Sequence, residues 1–229
     1  MSLERSTAQN ILLEVLKPEQ HETSTHRLQE LCLTVDWQDL HSLALKSGLI
    51  GLLHKQLRHA NVRIPEDIQF PWMAWELAVG QSNKKRLSIA CQVLTKATEA
   101  GLLLAPIKGI ELLLDAPKES LSLRSTSDID LVTTPEQLHA VEELILNEGY
   151  LPSSIQDEFK RHHHHLVYYH PDNPLDDIIE LHWTFLFKTF NIGRNWFESN
   201  YFFKSFTKIF CPKSNICSYV YGKFWFEVD

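Results

Sequence analysis

The spacing of apolar residues changes once along the chain, near residue 102, and this change constrains the fold more than any other feature. From Thr7 to about Gly101 the apolar residues recur at helical spacing, as in ILLEVL at residues 11–16. Asp36 is a predicted N-cap of a helix that ends at Gly48. Pro65 is a predicted helix start, and a long helix is predicted from about Trp72 to Glu99, ending at Gly101. Residues 1–101 are therefore predicted to form a helical N-terminal region.

Residues 102–190 combine short extended and helical segments. LLLAPIKG and DIDLVT are typical of strands, while GIELLLDA and the segment from Pro135 to Asn147 are typical of helices, the second with Gly149 as its C-cap. HLVYYH and DDIIELHW, separated by the turn PDNP, are predicted to be paired strands. This part is thus expected to form an α+β core with a small mixed sheet. Residues 191–229 are rich in aromatic side chains and form a C-terminal tail without clear periodicity.

Composition narrows the class of protein. With 229 residues, 44% of them hydrophobic, the chain can bury a substantial core. Its net charge of -7 argues against general nucleic-acid binding, which needs clustered Lys and Arg. The four cysteines lack CxxC spacing, which argues against a zinc knuckle or a disulfide framework. With no apolar leader and no apolar run of about 18 residues, a cytoplasmic protein without a membrane span is expected.

Two aspartates, Asp128 and Asp130, interrupt an otherwise apolar strand. Residues i and i+2 of a strand lie on the same face, so the two carboxylates are expected side by side. Like charges at that distance repel each other, and a metal ion is the natural counter-charge. The alternative interpretation is a solvated strand end.

A third acid, Glu180, is flanked by apolar residues in IIELHW in the same way. Two-metal sites for phosphoryl or nucleotidyl transfer use carboxylates to hold two Mg²⁺ ions about 3.5 to 4 Å apart. Asp128, Asp130 and Glu180 are therefore the candidate metal ligands and catalytic residues. His182 shares the predicted face of Glu180 and is interpreted as a structural histidine in preference to one that supports the site.

The candidate phosphate-binding turn is Lys108–Gly109, between a predicted strand and a predicted helix. A glycine there lets backbone N–H groups approach a phosphate closely, and Lys108 adds a positive charge. Arg124 and Ser127 complete the candidate nucleotide-binding residues. Two alternatives stay open, namely a turn that only needs a positive φ and an Arg124 that only pairs with the acids.

The run HHHH at residues 162–165 is a second notable feature. Consecutive strand residues alternate between faces, so at most two of these imidazoles can converge. Structural zinc is not predicted here. A role for His164 or His165 in positioning an acceptor or a phosphate is the alternative.

Taken together, PIKGIELL, LRSTSDIDLV, NEGY, HHHHLVYY and IIELHW resemble the uncharacterised nucleotidyltransferase family of the polymerase-beta-like superfamily. The resemblance is strong over residues 102–183 and loose through DWQDLHSLALKSGLIGLLHKQL. It implies a minimal nucleotidyltransferase fold in which Asp128 and Asp130 match the metal-binding pair and Glu180 matches the third carboxylate. The wider superfamily has Gly-Ser or Gly-Gly at the phosphate turn, and its helical C-terminal region would here be shortened to about residues 185–229.

The expected function is Mg²⁺-dependent transfer of NMP from an NTP to an unidentified acceptor hydroxyl on a small molecule or a protein. Glu180 would complete one coordination sphere and draw the acceptor hydroxyl toward deprotonation. Two alternatives stay open. One is a catalytically inactive relative that binds a nucleotide or a protein, and the other is an interaction module built on the helical half.

Overall fold

The computed structural model describes residues 5–17, 22–153 and 165–183, together with the short segments 206–207 and 220–221. The chain divides into two compact units. The first comprises residues 1–83 and 117–125, and the second comprises residues 84–116 and 126–229. Helices at the N-terminus and a small mixed sheet confirm the predicted α+β class.

The first unit is helical. Its α-helices pack on a core around Trp72, whose side chain is fully buried. The predicted N-cap at Asp36 is confirmed, since its Oδ1 accepts hydrogen bonds from the backbone N–H groups of Gln38 and Asp39 at 2.9 and 3.1 Å. The helices that lie within this unit are α1 (Thr7–Val15), α2 (Glu22–Cys32), α3 (Trp37–Lys46) and α4 (Ile50–His59).

The fifth helix, α5, extends from Glu66 to Glu99 and contributes residues to both units. The helix begins earlier than the predicted position of about Trp72, directly after Pro65, which is itself a predicted helix start, and it includes Pro71. The acidic side chains of Glu66 and Asp67 favour a helix start. Pro71 has no backbone N–H, and the helix continues through it despite the loss of one hydrogen bond. The predicted end is confirmed, with Gly101 at a φ of +70°.

The second unit contains a five-stranded mixed sheet in the order β1-β2-β5-β4-β3. Strands β2 and β5 are parallel, and the other neighbours are antiparallel, including the predicted hairpin β4–β5. The strands are β1 (Leu104–Pro106), β2 (Ile129–Thr133), β3 (Leu151–Pro152), β4 (His165–Tyr169) and β5 (Ile178–His182), and the helices are α6 (Lys108–Leu114) and α7 (Leu138–Asn147). Short 3-10 helices cover Lys118–Ser120 in the first unit and Pro135–Gln137 in the second.

All five residues of β2 are buried, as expected for a strand between two neighbours and covered on both faces. Ile129 and Leu131 are fully buried in the core, as are their register partners Ile179 and Leu181 on β5. Asp130 is the charged residue within this apolar strand, so β2 brings a carboxylate into the interior of the unit.

Most of the predicted tail, residues 191–229, lies outside the described residues, as do residues 184–190. Within the tail, β6 (Phe206–Thr207) and β7 (Val220–Tyr221) form an antiparallel pair. Among the helices of the described residues, none combines the length and the apolar character that crossing a membrane requires.

Candidate active site

The register of two parallel strands places two of the predicted acids side by side. Asp130 on β2 is the register partner of Glu180 on β5. Register partners on parallel strands point to the same face, so the two side chains lie next to each other. His182 follows Glu180 by two residues and shares that face.

Four side chains meet at this point. The Lys108 Nζ donates a hydrogen bond to the Asp130 Oδ1 at 2.5 Å and lies 3.5 Å from the Glu180 Oε2. The His182 Nε2 lies 2.9 Å from the same Asp130 oxygen and 3.5 Å from the same Glu180 oxygen. Asp130 and His182 are almost completely buried, at 3% and 1% side-chain exposure, whereas Lys108 is 51% exposed. We call these four residues the acid–lysine cluster.

The connection from β1 to α6 places Lys108 in the cluster. The Ile107 N–H donates a hydrogen bond to the Asp130 carbonyl at 3.0 Å, which holds the chain beside β2 as it leaves β1. Lys108 then adopts a φ of +54°, in the left-handed region that favours glycine. Gly109 follows it in tight contact with Thr126, because a Cβ at position 109 would lie 2.9 Å from the Thr126 Cγ2. The turn does need a positive φ, and Lys108 supplies it.

The charges of the cluster stabilise each other. The hydrogen bond from His182 is the main cause that lowers the pKa of Glu180 to about 2, and nearby His165 and Lys108 add to it against the effect of burial. Burial opposes the charged form of His182, but its hydrogen bonds to Asp130 and Glu180 raise the pKa of the imidazole overall. Burial likewise opposes a charged Lys108, but the hydrogen bond and charge of Asp130 raise its pKa.

Asp128 lies at the edge of this cluster. It directly precedes β2, which begins at Ile129, and its side chain is partly buried. Burial, followed by the charges of Asp130 and Glu180, raises the pKa of Asp128. A hydrogen bond with Ser127 opposes this increase. Asp128 is therefore within electrostatic range of the other two acids, and Ser127 contacts Asp128.

The other predicted residues are Arg124 and the histidines of the run 162–165. Arg124 belongs to the first unit, where its carbonyl accepts a hydrogen bond from the Asn83 side chain at 2.7 Å. His165 on β4 is the register partner of His182, with the two rings 5.1 Å apart. His162, His163 and His164 lie outside the described residues.

A divalent cation fits the donor set of the cluster. One ligand atom from each of Asp130, Glu180 and His182 lies within 4.8 Å of the others. Two of these donors are carboxylates, which are the hard oxygen ligands that Mg²⁺ and Mn²⁺ prefer. Asp128, at the edge of the cluster, is not one of these three donors.

Comparison with known families decides the class of protein. Residues 34–209 match the family described as uncharacterised nucleotidyltransferases. The chain belongs to this family. The match confirms the resemblance in the sequence, including its looser part in the helical first unit, and supports nucleotidyl transfer as the general activity. No curated protein and no solved structure matches the chain.

The sequence interpretation did not foresee how closely His182 contacts the acids of the candidate site. Its i+2 spacing from Glu180 placed it on the correct face, but the structure shows that it contacts both acids. Two signals in the sequence identify it, namely the alternation of side chains along the strand and the apolar residues that indicate a buried strand. A histidine beside a carboxylate on a buried strand needs a polar partner, and the nearest ones here are acids.

Proposed function

We propose that this protein is a Mg²⁺-dependent nucleotidyltransferase that transfers NMP from an NTP to an acceptor hydroxyl. The observation that carries the proposal is the register of Asp130 with Glu180 on adjacent parallel strands. Membership of a nucleotidyltransferase family supports it independently. Asp128, Asp130 and Glu180 are the proposed ligands of two Mg²⁺ ions.

Bound Mg²⁺ would neutralise the triphosphate and polarise the acceptor hydroxyl. In the transfer, the acceptor hydroxyl loses its proton to solvent, its oxygen forms a bond to the α-phosphorus, and the bond from that phosphorus to the oxygen that bridges to the β-phosphorus breaks. Pyrophosphate leaves with the electron pair of that bond. Since negative charge gathers on the leaving group, positive charge at the site is the main contribution to the rate.

The acidic residues are proposed to bind the cations, and the residues of the Lys108–Gly109 turn are proposed to bind the phosphates. The hydrogen bond from His182 lowers the pKa of Glu180, so its ionised carboxylate is suited to hold a cation. Lys108 and the adjacent Gly109 are proposed to contact the phosphates, with Ser127 beside them. The nucleotide contact of Arg124 stays a prediction from the sequence.

The test is label transfer from four α-³²P-labelled NTPs, with Mg²⁺, to small-molecule and protein fractions of a cell extract. We expect transfer by the native protein and none above background by Asp130→Asn. Asp176→Asn is the matched control, because Asp176 is exposed in the turn between β4 and β5. Equal transfer by the native protein and Asp130→Asn would refute the assignment. Mg²⁺-dependent NTP binding measured by calorimetry, without transfer to any fraction, would favour a non-catalytic binding protein.

A further inference from the structure

The Lys108 ammonium lies where the ligand atoms of the candidate metal group converge. Its Nζ is 2.5 Å from the Asp130 Oδ1, 3.5 Å from the Glu180 Oε2 and 3.5 Å from the His182 Nε2. The His182 Nε2 in turn lies 2.9 Å from the Asp130 Oδ1 and 3.5 Å from the Glu180 Oε2. The ammonium group of Lys108 therefore contacts the same ligand atoms that a bound divalent cation would need.

The members of the cluster differ in their freedom to move. Asp130 and His182 are fixed by burial on two central strands. Lys108 is 51% exposed and reaches the acids from the start of α6 through a flexible four-carbon stem. The ammonium can thus leave the acids for solvent without any change in the sheet.

The backbone at position 108 also indicates that the side chain is required there. A φ of +54° is unfavourable for a residue with a Cβ and is adopted readily by glycine. The chain nevertheless has lysine at position 108 and glycine at position 109. Strain of this kind persists where the side chain has a function that offsets it.

We infer that Lys108 is an exchangeable counter-ion, which holds Asp130 and Glu180 in the free protein and moves to the triphosphate when divalent cations bind these acids. This inference rests on the proposed function and adds an order of events to it. Without Lys108, less positive charge would offset the negative charges of the three carboxylates. With Lys108 in place, a divalent cation must displace it, and the displaced ammonium is then available to the phosphates.

This exchange couples the two ligands. Lys108 weakens cation binding in the free protein and strengthens nucleotide binding in the cation-loaded protein, so removing it changes the two affinities in opposite directions. A lysine that only stabilises the local structure would, when removed, weaken both. The opposite signs are therefore the distinguishing result.

The experiment measures Mn²⁺ binding by electron paramagnetic resonance in the full-length native protein, Lys108→Met and the control Lys84→Met, an exposed lysine of the same unit. Without nucleotide, we expect Lys108→Met to bind Mn²⁺ about tenfold more tightly than the native protein. At saturating Mn²⁺, we expect non-hydrolysable NTPs to bind Lys108→Met about tenfold more weakly. Lys84→Met should match the native protein in both titrations.

Two further variants keep the result interpretable. Lys108→Arg retains the charge and should keep Mn²⁺ affinity close to that of the native protein, and Lys108→Gln replaces Lys108→Met if the latter does not fold. Equal or weaker Mn²⁺ binding by the uncharged variant, while the native protein still binds Mn²⁺ and transfers label, overturns the inference alone. If the native protein binds no Mn²⁺ with or without nucleotides, the proposed function fails and the inference fails with it.

Discussion

Glu14 in the first unit and Asp128 in the second are both partly or fully removed from water, but their neighbours carry opposite signs. The Glu14 carboxylate is 5% exposed and lies 2.7 Å from the Lys17 Nζ and 3.4 Å from the Arg27 Nε. Burial raises its pKa, but hydrogen bonds from Lys17 and Ser24 and the nearby cations lower it overall. Asp128 instead has a raised pKa, because of burial and then the charges of Asp130 and Glu180.

The difference separates a structural acid from an acid of a candidate site. An ionised group whose pKa is lowered on folding adds to the free energy of unfolding at neutral pH, and one whose pKa is raised subtracts from it. Glu14 therefore stabilises the fold, while Asp128 destabilises it in the absence of a ligand. Acids that cost stability are typical of functional sites, where a bound cation or substrate supplies the missing charge.

Asp128→Asn gives the largest expected effect and tests this comparison directly. Nucleotidyl transfer should fall by about 100-fold or more, as is typical when one electrostatic contact to the reacting groups is removed. The unfolding midpoint in EDTA should stay the same or rise, because the repulsion by Asp130 and Glu180 is removed. Label transfer and urea unfolding measure the two quantities. A large loss of stability would make Asp128 a structural acid like Glu14.

Tight packing extends the comparison to two glycines. A Cβ on Gly51 in α4 would lie 2.2 Å from the Ser122 carbonyl oxygen, whereas a Cβ on Gly109 meets only the Thr126 side chain. Gly51→Ala should lower the free energy of unfolding by about 2 to 3 kcal/mol, since backbone atoms must move. Gly109→Ala should cost less and should be largely rescued by Thr126→Ala.

Gly80→Ala is the matched control for Gly51→Ala, because it lies inside α5 and its Cβ would be 3.7 Å from the Ser122 Cβ. Alanine is favoured over glycine in a helix interior by about 1 kcal/mol, so this control should be neutral or stabilising. Urea unfolding of all the variants is the measurement. Equal effects of Gly51→Ala and Gly80→Ala would contradict the close approach of Ser122 to α4.

Glu14→Gln should lower the free energy of unfolding by about 1 to 2 kcal/mol, since an amide retains the shape but loses the charge-assisted hydrogen bonds. Nucleotidyl transfer should not change. Glu30→Gln, at an exposed position of α2, is the control and should stay within about 0.5 kcal/mol of the native protein. If Glu14→Gln loses transfer activity at a temperature at which the variant is fully folded, Glu14 and Asp128 are no longer distinguished as a structural acid and a site acid.

Local signals in the sequence predicted much of the fold. The N-cap at Asp36 and the glycines that end helices at positions 48, 101 and 149 depend on neighbouring residues alone, and all four are confirmed. Strand alternation placed His182 on the face of Glu180 for the same reason. These features follow from backbone geometry over a few residues.

Other features depend on contacts between distant parts of the chain. That Asp130 is the register partner of Glu180 depends on β2 pairing with β5, about which the sequence between them carries no local signal. The position of Lys108 beside both acids depends on the hydrogen bond from Ile107 to Asp130. A turn that only needs a positive φ was an open alternative at Lys108–Gly109, and the structure has the positive φ at Lys108, while Gly109 lies against Thr126.

The smallest expected effect is the pH dependence of the contribution of Glu14 to the free energy of unfolding. The folded-state pKa of Glu14 is lowered from its ordinary value of 4.5, so its stabilisation is fully present above pH 4.5 and is lost as the pH falls through the folded value. The difference in unfolding free energy between the native protein and Glu14→Gln should therefore be constant from pH 7 to about pH 5.5 and should shrink below pH 4.5.

Urea unfolding at a series of pH values measures this difference, and the subtraction removes the titration of the other acids. Glu30→Gln should differ from the native protein by the same small amount at every pH. If the difference in unfolding free energy between the native protein and Glu14→Gln stays constant down to about pH 3, the charge of Glu14 does not stabilise the fold. The contrast with Asp128 would then rest on packing, because the two acids would no longer differ in the sign of their electrostatic effect on folding.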